Sequence, residues 1–214
     1  MPEKKKRPNL KARALMATAI HESGHVIAIW NEPALPAPTS VSIIPKGGTV
    51  GRVKFRLKKQ WWMTATVSSV RSLIRTYLAS RAAERLLTSS HTVGFYGDLE
   101  VVTQLAFMVV CIEGMDQDFG LLFVPGSLLS EATRKRADAA IRKVIAECEA
   151  QAALDMKKHE KQLRKLVPVL LKKKKLKKKQ LKKLLGARPE WTGNTLIKGV
   201  LRAKISPPRA RKKK

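Results

Sequence analysis

The sequence predicts a mainly α-helical domain with one small β element. Three observations predict it: long stretches with apolar residues at helical spacing, one pair of short strand-like runs around a Lys46-Gly47-Gly48-Thr49 turn, and no internal repeat. With 214 residues the chain fits one compact domain plus an appendage, and it is long enough to bury a substantial core. The expected layout is a disordered basic arm over 1–11, a folded domain over 12–186 and a mobile basic tail over 187–214.

The elements are predicted as follows. From about Lys11 to Trp30, Leu15, Ala19, Val26, Ile27 and Trp30 recur near helical spacing, and Asn31-Glu32-Pro33 with Pro36 and Pro38 ends the pattern. Val41 to Ile44 and Val50 to Leu57 read as the strands of a hairpin with a positively charged outer face. Thr64 to Leu87 is one amphipathic helix, ended by Thr88-Ser89-Ser90. A loop with Gly94 and Gly97 leads to Asp98, which opens a helix running to Glu113-Gly114. After Pro125-Gly126 one long helical stretch spans about Ser130 to Leu166. The lysine run from Lys172 to Lys183 keeps Leu176 and Leu181, with Leu184 and Leu185 following, so it is amphipathic rather than low-complexity.

Charge is unevenly placed. The formal net charge is +28, of which residues 157–214 contribute +21 and residues 1–156 contribute +7. Such a segment attracts phosphate backbones, anionic lipid or acidic protein surfaces, or else serves as a solvated, solubilising face. Only Trp191 is available there for base stacking, which disfavours direct base reading. Cys111 and Cys148 lie in apolar or helical patterns without a partner at metal-ligand spacing, as expected of reduced cytoplasmic thiols. No transmembrane segment and no signal-like leader are expected.

His21-Glu22-Ser23-Gly24-His25 is an H-E-x-x-H sequence within the first helix. The i, i+4 spacing puts both imidazoles on one face, one turn apart, where their nitrogens can reach a single tetrahedral Zn2+. Glu22 can lean beside the metal and take a proton from bound water as general base. The alternative is a pair of surface histidines on a helix, but the motif sits in the most apolar helix of the N-terminal half. A catalytic site also needs a third protein ligand.

The stretch Ala19 to Val26, followed by Val41-Ser42-Ile43-Ile44-Pro45-Lys46-Gly47 and Gly51, resembles the peptidase domain of FtsH-type ATP-dependent metalloproteases. Three further blocks agree in order: Arg81-Ala82-Ala83-Glu84; Gly97-Asp98-Leu99-Glu100 with Thr103 and Ala106; and Gly114-Met115 with Phe119-Gly120-Leu121. The likeness covers about residues 13–185. It implies a helical zinc metallopeptidase domain in which Asp98 is the third zinc ligand. A carboxylate at a loop-to-helix junction suits that role, and it equally suits a helix cap. Glu84, Glu100 and His91 are further candidates, although Glu84 could simply pair with Arg81 and Arg85. Ser23 replaces the family's usual alanine, Gly97 stands where Asn is common, and Ala79-Ser80 stand where two glycines are common.

No G-x-x-x-x-G-K-[ST] phosphate loop occurs in these residues. The expected function is therefore a cytoplasmic zinc endopeptidase that cleaves unfolded or flexible polypeptide without ATP of its own. A separate AAA unfoldase and homo-oligomerisation are the partners that the resemblance implies. The basic C-terminal region adds contact with a polyanion, nucleic acid or an anionic membrane surface. The rival reading is a basic nucleic-acid-binding or regulatory protein on an inactive peptidase scaffold.

Overall fold

The computed structural model describes residues 9–124 and 130–190. It is mainly α-helical with one three-stranded antiparallel sheet, in the order α1 (Leu10–Asn31), β1 (Ser40–Ser42), β2 (Arg52–Lys54), α2 (Lys59–Thr64), α3 (Val67–Thr88), α4 (Tyr96–Phe107), α5 (Glu131–Lys158), α6 (Glu160–Lys173), β3 (Lys175–Lys177) and α7 (Lys178–Leu185). The arm residues 1–8 and the tail residues 191–214 lie outside the described residues.

Helix α1 starts earlier than its apolar pattern, because the Asn9 side chain accepts a hydrogen bond from the Ala12 N–H at 2.8 Å and caps the first turn. Leu10 and Lys11, expected in the arm, are thus helical. The helix lies against α3 and α6. Its crossing with α3 is close: a Cβ on Gly24 would stand 2.6 Å from the Ala79 carbonyl oxygen and 2.8 Å from Ser80 Cα. A glycine facing small residues is what lets the two backbones approach.

Two apolar clusters share the interior. One gathers α3, α4 and α5 around Leu73, Ile74, Val102, Val110 and Val144. The other joins α1 to the sheet and the C-terminal helices through Ile27, Trp30, Val41, Leu163, Leu166, Leu170, Leu176 and Leu181. Burying each of these leucines contributes about 1.5–3 kcal/mol, enough to fix a segment otherwise rich in like charges.

Several boundaries differ from the sequence expectation. The stretch read as one helix from Thr64 to Leu87 is broken, because Ala65 is extended and Thr66 caps α3 in a reciprocal pair with Ser69. The stretch read as one helix to Leu166 divides at His159, yet hydrogen bonds pass through that residue, from its N–H to Asp155 and from Leu163 to its carbonyl. A bend that keeps its ladder leaves the apolar periodicity intact. The amphipathic lysine run is divided among several elements: α6 ends at Lys173, Lys174 takes a left-handed conformation, Lys175–Lys177 pair with β1, and α7 follows.

Arg188, expected in the mobile tail, is tied to the body. Its guanidinium donates to the carbonyls of Trp30 (3.0 Å), Ile29 (3.1 Å), Glu32 (2.5 Å) and Leu35, at and just beyond the C-terminal end of α1. A cation there satisfies helix carbonyls and opposes the negative end of the helix dipole.

One stretch, Val93–Ile112, is long and apolar enough to cross a membrane, with a mean hydropathy of 1.5 over its best window. The expectation of no transmembrane segment did not identify this stretch. The stretch joins a 3-10 turn, α4 and a π-helical turn, packs against α3 and α5, and carries Asp98 into a polar cluster.

Candidate metal centre

His21 and His25 project from successive turns of α1 toward α3 and α4. Their Nε2 atoms stand 3.3 Å apart. Asp98 Oδ2 lies 3.0 Å from the first and 3.2 Å from the second. These three are the group of residues able to hold a metal ion among those described.

The rest of each ring fixes its role. His21 Nδ1 is 2.8 Å from Glu84 Oε1, and His25 Nδ1 is 2.8 Å from the Thr76 carbonyl oxygen. Both partners are acceptors, so each Nδ1 carries the hydrogen and donates it. Once Nε2 gives up its proton, each ring can present the Nε2 lone pair to the shared point. Zinc bonds of about 2.0–2.1 Å in tetrahedral arrangement separate ligand atoms by about 3.3 Å, so this triangle fits one face of such a site.

Asp98 does not cap its helix. The N-cap of α4 is Phe95, without a side-chain hydrogen bond, and Asp98 sits in the first turn with its carboxylate turned to the histidines. Ser80 Oγ donates to the same Oδ2 at 3.2 Å, so the position where the family commonly has glycine supplies a hydroxyl to the Asp98 carboxylate. Gly97 lies within α4 with open space around it, and its replacement of the family's asparagine leaves Asp98 in reach.

Electrostatics match this geometry. Burial lowers the His21 pKa, but the hydrogen bonds with Asp98 and Glu84 outweigh it and hold the free imidazole at about 9. Burial alone would raise Asp98, yet the hydrogen bonds from His21 and His25 carry it well below the usual carboxylate range. Glu22 is 6% exposed and makes no side-chain hydrogen bond among the described residues. Burial pushes its carboxyl above the ordinary value, against the pull of His25 and His21. A buried, poorly solvated carboxylate beside a metal-ligand set is suited to accept a proton.

Of the other candidates, Glu84 stands outside the group of three and contacts it through His21. It holds His21, and its carboxylate also accepts the Thr92 N–H at 2.5 Å, which pins the chain ahead of α4. Its expected partners Arg81 and Arg85 pair with Glu149 instead. Glu100 and His91 are exposed and stand outside the group. Sequence reasoning missed the Thr76 carbonyl, because any residue type supplies one, and missed the contact that makes Gly51 necessary: a Cβ there would fall 2.4 Å from Glu22 Oε1.

The family profile of peptidase family M41 matches residues 9–184. The chain belongs to peptidase family M41. Among M41 relatives, it is 30% identical over 186 residues to ATP-dependent zinc metalloprotease FtsH 1 of Symbiobacterium thermophilum, covering 85% of this chain and 31% of that protein. ATP-dependent zinc metalloprotease FtsH of Thermobaculum terrenum is 29% identical over 182 residues, covering 78% of this chain and 28% of the relative. The mitochondrial FTSH 10 of Arabidopsis thaliana, also named an ATP-dependent zinc metalloprotease, is 28% identical over 184 residues, with 83% and 22% covered. The chain spans less than a third of the length of these M41 relatives.

Proposed function

We propose that this chain is a zinc endopeptidase in which His21, His25 and Asp98 hold the metal and Glu22 is the general base. The observation that carries the reading is the arrangement of the three side chains: both Nδ1 atoms are engaged by acceptors, and the two Nε2 atoms and one carboxylate oxygen lie within 3.3 Å of each other. Zinc there would polarise a peptide carbonyl and lower the pKa of water. Glu22 takes the proton of the attacking water and returns it to the leaving amine, so the proton balance closes on one side chain. Glu84 and the Thr76 carbonyl keep the imidazoles aimed, and burial around Glu22 keeps it basic enough to act.

The substrate in this reading is a flexible or unfolded polypeptide, laid in extended form along the edge of β2, where main-chain hydrogen bonds are sequence-tolerant. Cleavage by these residues requires no ATP; a separate AAA unfoldase would open folded proteins for it, and self-association is the other partnership of this reading. A reduced cytoplasmic setting belongs to the same proposal, and the free, buried Cys111 and Cys148 agree with it. The test is cleavage of an unstructured protein such as casein by the zinc-loaded chain, lost with a chelator and restored by zinc. Cleavage that persists in chelator sinks the proposal.

A further inference from the structure

The sheet has two faces of opposite character. One row, Val53–Val41–Leu176, points inward to the cluster beneath α1 and α6. The alternate residues form two outer rows, Lys54–Ser40–Lys177 and Arg52–Ser42–Lys175. Arg52, Lys54, Lys175 and Lys177 are all exposed, and none forms an ion pair among the described residues. Like charges gathered on one sheet face destabilise it, so the fold alone gives no reason for the pattern.

The location supplies one. Strand β2 is at the edge of the sheet and follows Gly51, which lies against Glu22. An extended chain added to β2 is therefore laid beside the general base. In such a strand every second side chain shares the outer face with Arg52 and Lys54, at the cross-strand Cβ separation of about 4.5–5.5 Å where opposite charges pair. Arg52 is held for this contact: its Nη2 donates to the Lys46 carbonyl at 3.1 Å and to Thr49 Oγ1 at 3.2 Å, leaving its other N–H groups without a hydrogen bond among the described residues.

Resting on the peptidase reading, we propose that the site selects extended polypeptide segments with acidic side chains at alternate positions, paired to Arg52 and Lys54. The nine lysines between Lys172 and Lys183 extend the same positive field and draw such segments in. That run contains no aromatic residue on which a base could stack, which favours an acidic polypeptide over nucleic acid.

The experiment uses zinc-loaded full chain and three quenched fluorescent peptides with one common central dipeptide, flanked at alternate positions on both sides by Glu, Ala or Lys. The expected kcat/KM order is Glu above Ala above Lys, with the Glu peptide about three- to tenfold ahead of Ala at low salt and the gap closing at high salt. An Arg52→Glu, Lys54→Glu double variant is expected to reverse the order. The milder Arg52→Gln, Lys54→Gln pair, which removes the charge and keeps a polar side chain, is expected to flatten it. Equal kcat/KM for three peptides that are all cleaved overturns this proposal and leaves the peptidase reading standing. A Glu preference that survives both double variants also overturns it. If no peptide is cleaved, the peptidase reading fails and this one with it.

Discussion

Glu84→Gln isolates the support of the metal centre from the ligands themselves. In the wild type two carboxylate oxygens serve two groups of donors: Oε1 meets His21 Nδ1 at 2.8 Å and Oε2 accepts the Thr92 N–H at 2.5 Å. A glutamine offers one oxygen and one NH2, so one of those donors is left facing another donor. Removing a carboxylate behind a metal-bound histidine typically weakens metal affinity by about 10- to 100-fold, equivalent to about 1.4–2.7 kcal/mol. The assay is zinc competition against a chromophoric chelator, with circular dichroism as the check on folding. The expected result is a folded protein whose zinc Kd rises by about that factor. A Glu84→Gln protein that binds zinc as tightly as wild type would show that His21 is aimed by its helix alone, and the orienting role would be withdrawn.

Gly51→Ala should keep the melting temperature but displace the Glu22 carboxylate, and misplacing a catalytic group by about 1 Å costs on the order of 100-fold in peptide cleavage; wild-type kcat in this variant would refute the contact. Arg188→Ala should lose about 2 kcal/mol, lowering Tm by roughly 4–8 °C, because several carbonyls around the α1 terminus lose their donor. A truncation at Gly186 should show the same loss, and an unchanged thermal melt would place Arg188 outside the folded body. His21 in the metal-free protein has its pKa raised to about 9 in the folded state, against an unfolded value of about 6.5, so its contribution to stability is complete below about pH 6.5 and is lost as pH rises through 9. Over the same interval zinc must displace that proton, so zinc affinity should rise about tenfold per pH unit. A pH-independent Kd between 6.5 and 9 would contradict the protonated His21.

The meeting of His21 and His25 was legible in the sequence because helical spacing is rigid: residues four apart on one helix return to one face, whatever surrounds them. Asp98 was legible only through the family likeness, since an acid near a helix start fits a cap as well as a ligand. Its position within the first turn of α4, reached by the 3-10 turn at Val93–Phe95, is set by tertiary packing. The lysine strand β3 was illegible for a related reason. Lysine does not favour strands, and Lys175–Lys177 becomes one because Leu176 fits beside Val41. The anchoring of Arg188 likewise depends on carbonyls more than 150 positions away in the chain, and an isolated arginine in a basic tail gives no sign of them.

Zinc content and peptide cleavage, measured together on wild type and Glu22→Gln, test the central claim. Glutamine keeps the size and burial of Glu22 but cannot take a proton, while His21, His25 and Asp98 are untouched. The account predicts about one zinc per chain in both proteins, with cleavage in the variant reduced by a factor of about 100 or more. Cleavage near wild-type rate by a zinc-loaded Glu22→Gln protein would contradict Glu22 as the general base. Absence of zinc from a correctly folded wild type would contradict the metal centre itself.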